Sequence, residues 1–384
     1  MPLPSRQRVA IKAAFGLNAL AIAVWFPRIP DVKAALDVDL LTLSICFFML
    51  PLGTLASFAY AAPLIERLGA RRVVMIWGGL FALLFIPPAF AWSAPALGVT
   101  LFAAGLAIAP IEIGMNAKAS VFEHQTGRRI MTQCHAMWSF GAMGGALIGG
   151  VFAEAGIGFL TQQLFVAPLL AGLAVLAGRA LEDDRPDAAA PHAGGHFALP
   201  DRAILWLCAV PIGALLLEGA MMEWSALYLQ SEVGLTPGLA AAAFAAFSTA
   251  MGGARLGGDW LAGQIGTTRV IRASCYLACG GLIAFATALG PIMAIVGAAL
   301  LGLGCANIYP LSVSLAAAQP TGRVERNIAA LTFAAFSAFL IGPPLIGLLG
   351  SAFGLGIALL LLAPLTVYPP ALLVEDIHPK PRKV

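Results

Sequence analysis

The sequence predicts an all-α membrane protein of twelve transmembrane helices in two pseudo-symmetric six-helix bundles. Three observations carry this. Of its 384 residues 60% are hydrophobic, only 11% are charged, and the mean hydropathy is +0.89, far from the composition of a soluble globular domain. The apolar residues gather into twelve runs, each close to the roughly 20 residues that cross a hydrocarbon core. Of the 22 Lys and Arg residues, 20 fall on one side of that layout.

The runs are 9–28, 40–61, 73–92, 96–117, 132–153, 160–178, 203–229, 237–258, 270–288, 291–317, 328–350 and 353–373. They are too long and too evenly apolar for barrel strands, and lipid offers no partner to an open backbone, so each is a helix. The basic stretch 1–11 leads into the first run with no small-residue cleavage site, which reads as an uncleaved first span. An even number of spans puts both termini on one side. The basic residues then make that side cytoplasmic, with only Arg28 and Lys33 opposite, as the positive-inside rule requires for a bacterial-type inner (plasma) membrane. The net charge of +3 is therefore sidedness, with no nucleic-acid patch. The six cysteines sit singly in apolar runs without metal-ligand spacing and read as packing residues; no metal site and no cofactor are expected.

The longest polar stretch, 179–202, is acidic and rich in Pro and Gly and reads as a cytoplasmic linker. It divides an N-terminal bundle, 1–178, from a C-terminal bundle with a short cytoplasmic tail, 203–384. A shift of 197 residues across it carries Phe47 onto Phe244, Gly69 onto Gly266, Gly105-Leu106 onto Gly302-Leu303 and Gly145 onto Gly342. One shift that aligns four successive parts of each half indicates duplication, with parallel halves about an axis along the membrane normal.

Ionisable residues inside apolar runs are the functional candidates. Glu112 and His135 flank a short charged hairpin and are equidistant from its centre, so adjacent antiparallel helices would hold them at one depth. They are expected to face each other and to serve proton coupling, or alternatively to tie two helices together. Glu218, near the middle of the seventh span, is the second proton-coupling candidate. Glu223, five residues on, points about 140° away and is a gate candidate with Arg28, at similar depth in the equivalent helix. Trp138, Asn116, Asn307, Asn18 and Tyr309 offer the flat apolar faces and neutral hydrogen-bonding groups that suit polar organic solutes. For Trp25, Trp224 and Tyr228 an interfacial belt is an equal reading. Gly141, Gly145 and Gly149 recur at four-residue spacing and suit close helix contact, while Pro310 and Gly342-Pro343-Pro344 mark bends.

Between the second and third runs the chain reads Ala62-Pro-Leu-Ile-Glu66-Arg67-Leu-Gly69-Ala-Arg71-Arg72. This resembles the cytoplasmic loop signature of the major facilitator superfamily, with Ala62 in place of the first glycine. Arg255 to Arg269, with Asp259 and Gly266, looks like a worn second copy. Charges around a tight Gly turn could pair with helix ends of the other half, which makes Glu66, Arg67, Gly69, Arg71, Arg72, Arg255 and Asp259 gating candidates. Trp25-Phe-Pro-Arg28-Ile-Pro30, Gly114 to Gly145, Glu218 to Ser225 and Gly302 to Pro310 are similar to the fucose-permease-like branch of that superfamily. The resemblance implies a monomeric, proton-linked secondary transporter moving a small, sugar-like solute by alternating access. Drug or metabolite efflux on the same fold, and a non-transporting membrane sensor or assembly partner, are the alternatives. No P-loop, nucleophile elbow or metal cluster occurs, so an enzyme or ATP-driven pump is not expected.

Overall fold

A computed structural model of the chain describes residues 3–183, 202–319 and 324–371. The expected linker at 179–202 lies largely outside the described residues, as do the basic residues Arg185, Arg323, Lys380, Arg382 and Lys383.

The described residues are helical throughout, with no strand among them. The first span is α1 (Leu3–Ala23), a 3-10 turn (Phe26–Arg28) and α2 (Ile29–Leu36); α3 (Leu40–Leu68) is the second and α4 (Ala70–Leu83) the third. The fourth is α5 (Ala94–Leu106) with α6 (Ile108–Thr126), followed by α7 (Met131–Glu154) and α8 (Phe159–Arg179). In the C-terminal half α9 (Arg202–Ser231), α10 (Pro237–Ile265) and α11 (Thr267–Ala286) are single helices, α12 (Pro291–Cys305) and α13 (Ile308–Ala317) form the tenth span, and α14 (Val324–Phe353) the eleventh. The last span is α15 (Leu355–Leu360) with α16 (Ala363–Ala371). Eleven of these units are long and apolar enough to cross a bilayer and the twelfth, Leu355–Tyr368, is a shorter apolar stretch. The fold is thus the expected twelve-helix, two-bundle architecture of a multi-pass membrane protein.

Two helices run further than the apolar pattern suggests. The second was expected to end at 61 and the fourth at 117, but α3 continues to Leu68 and α6 to Thr126. Charges such as Glu66 and Lys118 end the apolar run, yet they do not end the helix, which projects past the hydrocarbon slab as a hydrogen-bonded cylinder. What ends it is glycine. Gly69 closes α3 with φ 80° and Gly266 closes α10 with φ 94°, a region that only glycine enters freely. Their N–H groups donate to Ile65 O at 2.8 Å and Ala262 O at 2.9 Å, two acceptors again 197 residues apart.

The duplication extends to backbone contacts. Gly105 lies against the Leu50 carbonyl, and Gly302 against the Phe247 carbonyl; both members of the pair shift by 197. A Cβ at either glycine would collide with main chain, so the fourth and tenth spans approach the second and eighth only because these sites are Gly. Within the N-half, Gly141, Gly145 and Gly149 seat α7 on the carbonyls of Gly16 and Leu20 of α1 and of Val24 just beyond it. The glycine stripe therefore packs one bundle internally. The halves meet along α3 with α14 and along α7 with α10.

The side bearing the start of α1 is called the near side below, and the opposite side the far side. The far side is sealed by aromatics from both halves, with Phe47 and Phe244 in matched positions. Phe47 stacks edge-on with Trp224 of the other half, and Phe244 with Phe26, both at 5.4 Å between centroids. Trp25, Trp224 and Tyr228 are 3%, 0% and 3% exposed, so these rings belong to the seal and its supports, and the belt reading is corrected. Gly150 beside Ala241 and Gly347 beside Ser44 bring the backbones together at the same end.

Candidate functional site

The polar centre forms around Arg255. The sequence reading placed it in a near-side loop, as part of a second gate motif; both Arg255 and Asp259 instead lie inside α10, which continues to Ile265. Ten residues at about 1.5 Å each set Arg255 about 15 Å below that end. Its partners explain how a guanidinium is held there. Nη2 lies 3.6 Å from Glu218 Oε1 on α9. Nε donates to Ala306 O at 3.4 Å, and Nη1 donates to Ser139 Oγ at 3.0 Å and to His135 O at 3.5 Å. Glu218 and Ala306 belong to the C-half, Ser139 and His135 to the N-half, so this one side chain spans the interface.

Proline chemistry makes the Ala306 carbonyl available. Residue 310, four positions on, is Pro and has no N–H to close the helical bond, so the tenth span breaks between Cys305 and Ile308 and Arg255 takes the orphan acceptor. The N-half repeats the device with another donor. Pro110 leaves Leu106 O without its helical partner, and Tyr60 Oη of α3 donates to it. A buried carbonyl left alone costs about 1–3 kcal/mol, which accounts for a side chain at both breaks.

Glu218 is buried, 7% exposed, and lies thirteen residues from the far end of α9. Its carboxylate has Arg255 as ionic partner. Ser139 is buried and His135 exposed, its ring edge-on to Phe15 at 5.5 Å. Exposed His135, buried Ser139 and the Glu218–Arg255 pair form one polar track between the two halves.

Other candidates fall elsewhere. Glu112 and His135 are not hydrogen-bonded or ion-paired to one another. Beyond the hairpin α6 packs on α3 and α4, while α7 packs on α1 and α10, so equal depth does not bring the two residues together. Glu112 is half-buried, and its carboxylate has no hydrogen-bond or ionic partner among the described residues. Its position was legible and its partner was not. The expected Arg28–Glu223 pair is also absent. Arg28 is buried and bonds Asp31 Oδ2 at 2.5 Å, Gln162 Oε1 at 2.8 Å and Ile157 O at 2.9 Å, with Phe159 beneath it, all within the N-half. Glu223 is half-buried and forms no ion pair among the described residues.

The amides are mostly structural. Asn307 Nδ2 donates to Ala254 O at 3.0 Å, and its side chain fills the space over Gly258. Asn116 Nδ2 donates to the carbonyl of Glu112 one turn back. Asn18 faces a small space inside the N-half lined by Val74, Ile111, Met115 and Leu170, with its Nδ2 buried and unbonded. Tyr309 Oη lies 3.3 Å from Thr332 Oγ1. Trp138 is half-buried and packs on the core. At the start of α4, Arg71 pairs with Asp183 at 3.3 Å and donates to Arg179 O; Arg67 near the end of α3, Arg72 of α4 and Asp259 of α10 are exposed. Lys118, one of the basic residues assigned to the near side, is buried and donates to Glu182 O at 2.6 Å.

Sequence reasoning missed Ser139 as a partner of Arg255, and it missed Glu154. Glu154 Oε2, at the far end of α7, accepts from Gly238 N of α10 at 2.7 Å. The spacing Ala306–Pro310 was a clue to where Arg255 sits, and not to its partner Ser139. The Glu154 contact had none, because it depends on how the halves dock.

Comparisons with known proteins agree with the fold. The family model described as Major Facilitator Superfamily matches residues 13–318. An uncharacterised transporter, y4wD, of Sinorhizobium fredii is 30% identical over 344 residues, covering 89% of this chain and 90% of its own. Among solved structures the nucleoside transporter NupG superposes with a TM-score of 0.74 at 13% identity, covering 97% of this chain and 98% of its own. The E. coli fucose:proton symporter FucP gives 0.62 at 17% identity, covering 95% and 97%; at these identities the two structures bear on the fold alone.

Proposed function

The chain belongs to the major facilitator superfamily, and from that premise we propose that it is a proton-coupled secondary transporter moving a small polar organic solute by alternating access. The observation that carries the reading is the Glu218–Arg255 pair with its bridge to Ser139 and His135. A carboxylate deep in a membrane protein is costly and earns its place by function more often than by stability. Here it neutralises the guanidinium that reaches into the other half. Protonating Glu218 frees Arg255 from its counter-ion, and a proton is thereby coupled to the contact that joins the halves. Glu112, without a partner, is a second proton-carrying group, and the exposed His135 and half-buried Trp138 line the solute path between them.

With a basic near side taken as cytoplasmic, the termini face the cytoplasm of an inner membrane. The sealed far side then makes this the inward-facing state, working as a monomer. Rocking of the bundle ending near residue 178 against the one beginning near 203 carries the site from one side to the other.

Purified protein in proteoliposomes, given an inward proton gradient and a radiolabelled panel of sugars, polyols and sugar acids, tests the proposal. Gradient-driven uptake that is lost in Glu218→Gln is the expected result. Uptake in that variant that still follows the proton gradient as in the wild type would remove Glu218 from the mechanism.

A further inference from the structure

The Glu218–Arg255 geometry also bears on the charge of the solute. Three of the four groups around the guanidinium are neutral oxygens: Ala306 O, Ser139 Oγ and His135 O. The fourth, Glu218, stands 3.6 Å from Nη2, longer than the 2.7–2.9 Å typical of a charge-assisted hydrogen bond. Nε and Nη1 are committed to the break in the tenth span and to the N-half. The Nη2 edge is the one that an incoming group can take, and the Arg255 side chain remains 15% exposed.

Consider the transport cycle read above, on which this inference rests. When Glu218 takes up a proton, a neutral solute leaves Arg255 facing only dipoles at mid-depth, and a charge stripped of its partner away from water is strongly unfavourable. A solute bearing one carboxylate restores the pair in the same place, accepting a charge-assisted hydrogen bond from the Nη2 that the other contacts leave free. The site then holds one paired cation in both states, with Glu218 as counter-ion when empty and the solute when loaded. We propose that the transported solute is a small organic monocarboxylate, polar over the rest of its length, bound by Arg255 in exchange for Glu218.

Matched pairs that differ only at the acid group decide the matter. Thermal unfolding of the purified full-length protein is followed with gluconate against sorbitol, and glucuronate against glucose. The acid of a pair is expected to raise the melting temperature and the neutral member to leave it unchanged. Glu218→Gln, which removes the competing carboxylate, should bind the acid about tenfold more tightly, and Arg255→Gln should lose the shift. Stabilisation by sorbitol or glucose equal to that by the acids overturns the inference, as does an acid shift that survives Arg255→Gln or the absence of any shift with the acids. If Glu218→Gln does not fold, the wild-type pairs decide alone. The transport reading fails separately, when no member of either series moves with protons in proteoliposomes. Proton-driven uptake of the neutral members alone keeps that reading and discards this one.

Discussion

The two seams between the halves are built from the same positions with opposite chemistry. On the α3–α14 seam Phe58 packs edge-on against Phe336, centroids 5.9 Å apart. On the α7–α10 seam Arg255 donates to Ser139 at 3.0 Å. Residue 58 shifts onto 255 by 197, and 139 onto 336 by the same step. Duplication therefore made one contact twice; one copy is apolar and the other carries charge. An aromatic pair has no switch in it, whereas a guanidinium paired to a protonatable carboxylate does. On the proposed reading, the frame is shared between halves and the coupling chemistry occupies one seam.

Arg255→Leu leaves Glu218 buried without its cation, a loss of about 3–5 kcal/mol for a fully buried pair and less here, since the side chains retain some exposure. Proton-driven uptake should fall by roughly 100-fold. Phe58→Leu and Phe336→Leu, each losing an aromatic pairing of about 0.5–1.5 kcal/mol, should leave it within about threefold. Equal losses of uptake on both seams would make the polar seam no more functional than the apolar one. The shared frame has its own test. Gly105→Val and Gly302→Val force a side chain into the same backbone contact in each half, and overpacking of this kind costs about 1–3 kcal/mol. Equal drops in melting temperature are expected, and a large inequality would show that the bundles are not energetically equivalent.

This division also explains what could be read from sequence. The helices, their number and the 197-residue repeat were legible because lipid imposes an apolar run on every span and glycine alone permits the contacts at 105 and 302. Glu218 was legible as a carboxylate in the wrong solvent. Arg255 was misplaced for an informative reason. A basic residue near the end of an apolar run looks like a loop, yet the orphan carbonyl left by Pro310 and the carboxylate of Glu218 stabilise it inside the helix. The Arg28–Glu223 gate failed because depth along two helices says nothing about which way their side chains turn, and Asp31 and Gln162 were nearer to Arg28.

A third contrast concerns the pair expected in the N-half. Glu112 and His135 do not meet, whereas their counterparts under the 197 shift, Tyr309 and Thr332, lie within hydrogen-bonding distance. The C-half has a neutral tie where the N-half has an unpartnered carboxylate. Tyr309→Phe removes the tie and should lower stability by about 0.5–1.5 kcal/mol with no change in proton stoichiometry. Glu112→Gln should alter proton-coupled uptake and leave the melting temperature near its wild-type value. Thermal unfolding alongside uptake separates the two, and exchanged outcomes would place the ionic role in the wrong half.

At the far side two helix N-termini differ in the same way. The first turn of α3 is capped from its own half, by Asp39 accepting from Thr42 N at 2.7 Å. The first turn of α10 receives Glu154 from the other half, on Gly238 N at 2.7 Å. Hydrogen bonds from the Thr42 side chain and then its backbone N–H hold the Asp39 carboxyl below its usual range. Its contribution is thus complete above the ordinary carboxylate value and fades only as pH falls through the lowered one. That cap travels with its helix and is present whether the halves are together or apart. The Glu154 contact exists only while the far side is closed, and a carboxylate at a helix N-terminus contributes about 0.3–1 kcal/mol at an exposed site. Glu154→Ala should therefore shift the equilibrium between closed and open far sides by up to about fivefold, while Asp39→Asn lowers thermal stability without shifting it. Spin labels on the far ends of α7 and α10 report this as a larger population of long distances in the Glu154 variant alone. An equal redistribution in the Asp39 variant would mean that both caps act on the helices themselves and that Glu154 has no part in holding the far side shut.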